Sequence, residues 1–283
     1  MTSKTKLIAF QGELGAYSHQ ACREAFPGQD VLPCASFEAA IQAVSDGKAG
    51  LVVLPVENST YGRIADVHSL LPHSGLHIVG EHFVRVHISL LAVPGAALRD
   101  VKQAMSLTVL LGQCRAFLKK NRIAPLNGPD TAGSAKMVAE RGDKHVAALA
   151  SPLAGEIYGL TALADQIEDQ SNNTTRFLIM APDALRPDIG NNVMSTFVFQ
   201  VRNIPAALYK AMGGFATNGV NMVKLESYML NGSFTATQFY ADIEGHPDDA
   251  NVNRALEELA YFTTQLEILG VYAMHPYRLA ARG

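Results

Sequence analysis

The chain has 283 residues, 48% of them hydrophobic and 17% charged, with a formal net charge of −3. At about 100 to 200 residues per domain, that length predicts two domains with a well-packed core. The near-neutral balance, with no lysine or arginine block, speaks against nucleic acid and against an anionic membrane surface as partners, and leaves small molecules or proteins.

The opening stretch MTSKTKLIAFQGELG lacks the long apolar centre of a secretory signal. No apolar run elsewhere approaches the roughly 18 to 20 residues needed to span a bilayer. Cys22, Cys34 and Cys114 are far apart and form no CxxC pair, which predicts neither a disulfide framework nor a thiolate zinc site. A cytoplasmic location fits these features.

In chain order, KLIAF reads as a strand, GELG as a tight turn and AYSHQACREAF as a helix. SFEAAIQAVSDG is a helix with Ser36 as N-cap and Gly47 near its C-cap, and AGLVVLPV is a buried strand ending at ENST, ahead of a helical run GRIADVHSLL. DTAGSAKMVAERG is a helix capped by Asp130 or Thr131, HVAALAS a further strand, and SNNTTR a polar turn into the apolar strand FLIM. This alternation predicts an α/β layer structure, in which ligands bind at strand ends and helix starts. The stretch PDALRPDIGNNVM has the composition of a linker. Beyond it, STFVFQV, AALYKAMGGFATNG, NMVKLESYML, a turn at Asn231-Gly232, FTATQFYADIEG, NVNRALEELAYFTTQ and LEILGVYAM give a βαββαβ order, the ferredoxin-like split βαβ.

Five clusters come into question for chemistry. GELG is neither GxGxxG nor a P-loop and reads as a turn. His68, His73, His77, His82 and His87 spread over a helix, a turn and a strand without an HExxH pair, so solvated or singly hydrogen-bonded histidines are expected rather than a metal site. Glu57, Asn58, Ser59 and Thr60 either cap a helix elaborately or offer donors to a carboxylate or phosphate. DTAGSA has the same ambiguity. In NNTTRF a guanidinium stands beside two hydroxyls at a strand entrance: Arg176 can hold a carboxylate bidentately or pair with Glu57, and a threonine can donate or relay a proton.

GELGAYSHQA, VVLPVENSTYG, HISLLA, DTAGSAKMVAE, AALASPLAGEIYGL and IEDQSNNTTRFLI, in this order, resemble prephenate dehydratase over about residues 6 to 180. The C-terminal part resembles an ACT domain, the effector-binding module usually appended to that enzyme. The resemblance implies an α/β catalytic domain over 1–183, like type 2 periplasmic binding proteins, with one lobe from 6–77 plus 165–181 and another from 78–164. A linker over 184–194 and a βαββαβ ferredoxin-like ACT domain over 195–283 would follow. It implies conversion of prephenate to phenylpyruvate in phenylalanine biosynthesis, without metal or cofactor. Thr175, directly before Arg-Phe, would be the proton donor or relay; Arg176, Asn58 and Ser59 would bind carboxylates, and Phe177, Glu57, Ser89 and Thr131 would complete the site.

For the ACT domain the resemblance implies a phenylalanine site at Ala207, Leu208, Asn218, Glu226 and Ser227, and association into a homodimer or homotetramer. The chain departs from the family where Gly-Ala-Leu becomes AAL at 206–208 and Glu-Ser-Arg-Pro becomes ESYM at 226–229. It also reads SLTVLLGQC at 106–114, without the usual His-Pro-Gln. Arogenate dehydratase, whose substrate carries an amino group in place of the keto oxygen, is the neighbouring activity; a non-catalytic amino or keto acid sensor is the alternative from another class.

Overall fold

The computed structural model describes residues 7–190, 192–229 and 236–280. They fall into two compact units: one runs up to Val67 and resumes over His82–Phe177, the other comprises His68–Glu81 and the chain from Leu178 on. The turn expected at Asn231-Gly232 lies outside the described residues.

In chain order the first elements are β1 (Leu7–Gln11), α1 (Tyr17–Ala25), β2 (Val31–Cys34), α2 (Phe37–Ser45), β3 (Ala49–Asn58), β4 (Gly62–Arg63), α3 (Ala65–Leu70) and β5 (His77–Arg85). Then come β6 (Ser89–Ala92), β7 (Gln103–Ser106), α4 (Thr108–Gln113), α5 (Arg115–Asn121), β8 (Ala124–Asn127), α6 (Thr131–Arg141), β9 (Val146–Ala150), α7 (Pro152–Tyr158), β10 (Thr161–Ala164) and β11 (Thr174–Ala181). Two sheets organise the first unit. In one, the strand order is β11-β3-β1-β2, with β1 parallel to both β2 and β3. In the other it is β10-β6-β9-β7-β8, with β7 parallel to β8 and β9, and β6 antiparallel to β9. The central strands are apolar throughout because helices cover both faces: Ile88, Leu90 and Leu149 pack with Leu110, Leu111 and Leu118 of α4 and α5.

Small polar residues start the helices by satisfying amides that have no partner within the helix. Ser36 Oγ accepts from Ala39 N at 3.2 Å, Asp130 Oδ1 from Gly133 N at 2.7 Å, and Ser151 Oγ from Ala154 N at 3.1 Å. Of the two candidates for the α6 cap, Asp130 takes the position. GELG is a tight turn, with Gly12 at φ 115° and Gly15 at φ 91°. It is also a packing point, since Ser151 Oγ donates to the Gly15 carbonyl at 2.6 Å at the start of α7.

The second unit contains β12 (Val193–Val201), α8 (Ala207–Thr217), β13 (Met222–Met229), β14 (Ala236–Glu244), α9 (Ala250–Phe262), β15 (Thr263–Ala273) and α10 (Pro276–Ala280). Its sheet runs β13-β14-β12-β15 with antiparallel neighbours, and Phe197, Phe199 and Phe239 face Phe215 of α8 and Leu259 of α9. That is the ferredoxin-like βαββαβ order expected from the sequence.

Several boundaries differ from the sequence reading. β12 begins at Val193, inside the stretch read as linker, because Val193 and Met194 pair with Ala273 and Tyr272. Residues 68–77 and 178–181, assigned from the sequence to the first lobe, and 78–81, assigned to the second, group with the C-terminal unit. There Ile78 pairs with Gly270 in parallel, an approach so close that a Cβ on Gly270 would overlap the Ile78 carbonyl oxygen. Finally, α9 ends at Phe262, since the β-branched pair Thr263-Thr264 favours the strand.

Ala206, where the resembled family carries glycine, is the N-cap of α8 and adopts φ 61°, ψ 17°. The left-handed region costs an L-residue about 1–2 kcal/mol, while glycine loses about 0.4–1 kcal/mol through the freedom it adds to the unfolded chain. Ala206→Gly is therefore expected to raise stability by up to about 1 kcal/mol, read as a higher denaturation midpoint; an unchanged or lower midpoint would contradict this account of the cap.

Candidate functional site

The turn after β3 is built differently from the sequence expectation. β3 does not stop before ENST but continues through Glu57 and Asn58, which pair with Arg63 and Gly62 of β4. No helix starts there; α3 begins at Ala65. The four polar residues fold into a hairpin loop in which Asn58 Oδ1 accepts from Thr60 N at 2.9 Å and Tyr61 N at 3.0 Å. Asparagine favours this geometry because its side-chain carbonyl substitutes for a backbone acceptor two residues on.

This Asx turn fixes the rest of the site. With Oδ1 committed to two backbone donors, Asn58 can only donate through Nδ2, and it does so to Asn173 Oδ1 at 2.7 Å and to Thr175 Oγ1 at 3.0 Å. Thr175 therefore receives a hydrogen bond, and its own hydroxyl hydrogen is directed elsewhere. Ser59 clamps the facing loop: its Oγ donates to the Asn172 carbonyl at 2.9 Å and accepts from Thr174 N at 2.9 Å, and its amide donates to the Thr174 carbonyl at 2.9 Å. The two polar stretches noted in the sequence, ENS and NNTTRF, are thus bound to each other.

Arg176 is only 3% exposed, and its Nη1 lies 3.9 Å from Glu57 Oε2, too long for a direct hydrogen bond between those two atoms. Phe177 is buried, holding the strand to the core. Ser89 Oγ donates to Asp165 Oδ1 at 2.6 Å, and Thr131 is the first residue of α6; neither joins the Asn58–Thr175 network.

The sequence reading took Asn173 as a turn builder, whereas it is the third member of that network. Its place two residues before Thr175, on the same side of the extended chain, was the available signal. Tyr61 was also missed. SLTVLLGQC is not a loop but contains α4, and Tyr61 OH reaches the Val109 carbonyl there at 3.4 Å.

Burial pushes the Cys22 and Cys114 thiols up to about 12, the latter with help from the negative charges of Asp169 and Glu168, so neither is a ready thiolate. His82 contacts Glu24 at 3.0 Å and His87 contacts Glu168 at 3.2 Å, while His68 meets the Tyr228 hydroxyl and packs edge-on against the Tyr240 ring. Among the described residues no group of three or more His, Cys, Asp or Glu side chains is arranged to hold a metal ion.

The proposed effector residues lie in the second unit. Ala207 and Leu208 open α8, whereas Asn218 closes it, donating to Glu258 Oε1 at 3.0 Å and accepting from Arg254 Nε at 3.0 Å. An 11-residue helix separates the two groups by about 16 Å. Glu226 meets Lys224 Nζ at 3.2 Å, and the neighbouring Ser227 points to the opposite face of β13.

Two α/β sheets, a polar hairpin bonded to a Thr-Arg strand entrance and a ferredoxin-like C-terminal module are the make-up of a lyase with an ACT domain, and the comparisons with known proteins point the same way. The prephenate dehydratase family profile matches residues 8–184, and the chain belongs to that family. It is 51% identical, over 96% of its length and 98% of the relative's, to a bifunctional N-acyl-homoserine lactone acylase/prephenate dehydratase of Komagataeibacter europaeus. It is 38% identical to arogenate dehydratase/prephenate dehydratase 1 of Arabidopsis thaliana, covering 94% of this chain and 72% of that one. The crystal structure of prephenate dehydratase in complex with L-Phe from Arthrobacter aurescens superposes with a TM-score of 0.86 at 28% identity, covering 94% of this chain and 90% of that one. No helix among the described residues is long and apolar enough to cross a membrane.

Proposed function

We propose that this chain converts prephenate to phenylpyruvate, with Thr175 as proton donor to the leaving hydroxyl. The observation that carries this reading is the hydrogen bond from Asn58 Nδ2 to Thr175 Oγ1, 3.0 Å, which makes the threonine an acceptor toward Asn58 and leaves its own hydrogen to be donated. As the ring's C–O bond breaks, that hydrogen goes to the departing oxygen to form water. The bond to the ring carboxylate breaks with loss of carbon dioxide, and its electron pair completes the aromatic ring. A solvent proton then restores the hydroxyl. Aromatisation drives the step, so the protein's task is to bind two carboxylates, supply one proton and keep water away. Arg176, the next residue on β11, is the guanidinium assigned to a substrate carboxylate, on the face of the strand opposite Thr175. Ser59, engaged with Asn172 and Thr174, contributes by holding the loop. Formation of phenylpyruvate from prephenate by the purified chain, followed by its absorbance, tests the reading; ligand binding without product would instead support a sensor.

Asn58→Asp provides a finer test. The introduced carboxylate keeps the acceptor that the Thr60 and Tyr61 amides need but loses the donor, and the Thr175 hydroxyl then turns to donate to that carboxylate. Turnover is expected to fall on the order of 10-fold, and the melting midpoint to fall as well because Asn173 Oδ1 loses its donor; full activity would show that the orientation of the hydroxyl is immaterial.

Under the same reading, L-phenylalanine is an effector at the ACT domain, the chain works in the cytoplasm as a homodimer or homotetramer, and arogenate is an alternative substrate. Size-exclusion chromatography showing only monomer would refute the assembly. A second activity is favoured by one observation, the 51% identity to the relative named for both activities: hydrolysis of N-acyl-homoserine lactones. Release of the free amine from such a lactone by a preparation that also makes phenylpyruvate would support it, and its absence would restrict the chain to the lyase reaction.

A further inference from the structure

A groove of about 450 Å³ runs between α4, α5 and β8, the last strand of the second sheet. Its floor is core left uncovered: Leu111, Leu118 and Ile123 belong to the same apolar cluster as Ile88, Leu90 and Leu149, and they line the groove together with Pro125. The strand beside it sets its length, since Ile123 and Asn127 both line it and lie about 13 Å apart at about 3.3 Å per residue. Beside Asn127 the groove ends on polar atoms, with Thr108 Oγ1 donating to Asn127 Oδ1 at 3.2 Å. Arg115 and Lys119, four residues apart and so on one side of α5, border it from the helix.

The charge of this groove is of one sign. No aspartate or glutamate lines it, and among the described residues neither the Arg115 nor the Lys119 side chain has a hydrogen bond or an ion pair. With Lys102, Lys120 and Arg122 they make five cations and no acid between Val101 and Ile123, in a chain whose net charge is −3. Helix stability accounts for part of this, because Lys119 and Lys120 stand in the last turn of α5, at the negative end of the helix dipole. It does not account for Arg115, the first residue of the same helix, where the dipole disfavours a cation. Arg115 and Lys119 also repel each other across one helical turn. An anion held between them relieves both penalties.

An apolar floor beside two unpaired cations calls for a ligand with an apolar body and one acidic head. An extended acidic peptide fits less well: β8 is an edge strand, but Pro125 within it has no N–H to offer an added strand. A cavity of about 150 Å³ holds the six carbons of benzene, so about 450 Å³ has room for a ten-carbon chain with its carboxylate.

We propose that this groove binds an amphipathic carboxylate, with an unbranched apolar chain laid over Leu111, Leu118, Ile123 and Pro125 and its acid held by Arg115 and Lys119. The site shares no residue with the Asn58–Thr175 network, and it stands or falls independently of the dehydratase reading. The full chain is titrated calorimetrically with hexanoate, octanoate and decanoate below their micelle concentrations, and with octanol as the uncharged counterpart of octanoate. Affinity is expected to rise about 4-fold per added methylene, and octanol to bind roughly 10-fold more weakly than octanoate. Arg115→Met with Lys119→Met keeps apolar bulk and removes both charges, and should weaken decanoate binding by roughly 10-fold or more. Lys120→Met, outside the groove on the same helix, should stay within about 2-fold. Should the double variant fail to fold, Lys119→Met alone decides, with an expected loss of about 3-fold or more. Any of five results would overturn the proposal: no binding of decanoate; equal affinity for hexanoate and decanoate, which leaves only a charged patch; octanol binding as well as octanoate; a folded double variant as tight as the unmodified chain, or Lys120→Met as damaging as Lys119→Met, which leaves a diffuse field; and binding confined to phosphatidylserine vesicles, which makes the surface one for membranes.

Discussion

Replacing Thr175 by alanine is expected to lower turnover of prephenate by about 10²-fold or more while KM changes little. The expectation follows from what the substitution removes. Thr175 is 8% exposed, and its Oγ1 accepts from Asn58 Nδ2 at 3.0 Å, so the hydroxyl is held with one lone pair engaged and its hydrogen available. Free threonine is a poor acid, and it acts here by position: a donor aimed at the oxygen that develops negative charge gains strength as the C–O bond lengthens. An interaction made chiefly in the transition state appears in kcat rather than in KM. Loss of about 10²-fold corresponds to about 2.7 kcal/mol, a magnitude in keeping with one preorganised donor. Thr175→Ser keeps the hydroxyl and its hydrogen bond to Asn58, so its activity should stay within about 10-fold of the unmodified chain. Near-normal kcat in the alanine variant would remove Thr175 from the chemistry, and a serine variant as impaired as alanine would point to packing of the methyl group instead.

The contrast between Thr175 and its neighbours shows what the sequence could and could not disclose. The strands, the caps at Ser36 and Asp130, and the βαββαβ order were legible because each is local: apolar runs, a hydroxyl or carboxylate ahead of a helix, periods that repeat within about ten residues. The juxtaposition of Asn58 with Thr175, 117 residues apart, was accessible only through the resemblance. The form of that meeting was not, since ENST suits a helix cap and an Asx hairpin equally well by composition, and the pairing of Glu57 and Asn58 with β4 decides between them.

Gly15→Ala is expected to destabilise the chain by about 2–4 kcal/mol, through two separable causes. The first is conformational. At φ 91° an L-side chain meets its own backbone, a cost of about 1–2 kcal/mol or more. The second is the neighbour: an added Cβ would lie 2.7 Å from Ala154 Cα, 3.0 Å from Ala154 Cβ and 3.3 Å from Ala154 N, all on α7. A helix backbone cannot rotate away as a flexible side chain can, so the turn or the helix must shift, at about 1–3 kcal/mol. Shifting the turn also strains the bond from Ser151 Oγ to the Gly15 carbonyl, 2.6 Å, which ties GELG to the same helix. Against these stands about 0.4–1 kcal/mol from the stiffer unfolded chain. Gly28→Ala isolates the first cause, because Gly28 has φ 81° but no heavy atom within 4 Å of its added Cβ. It should lose about 1 kcal/mol or less. Denaturation midpoints of the two variants measure the difference. A Gly15 variant no less stable than the Gly28 variant would mean that α7 yields freely and that the glycine is required by the turn alone; a gap of about 1 kcal/mol or more would assign the rest to the contact with Ala154.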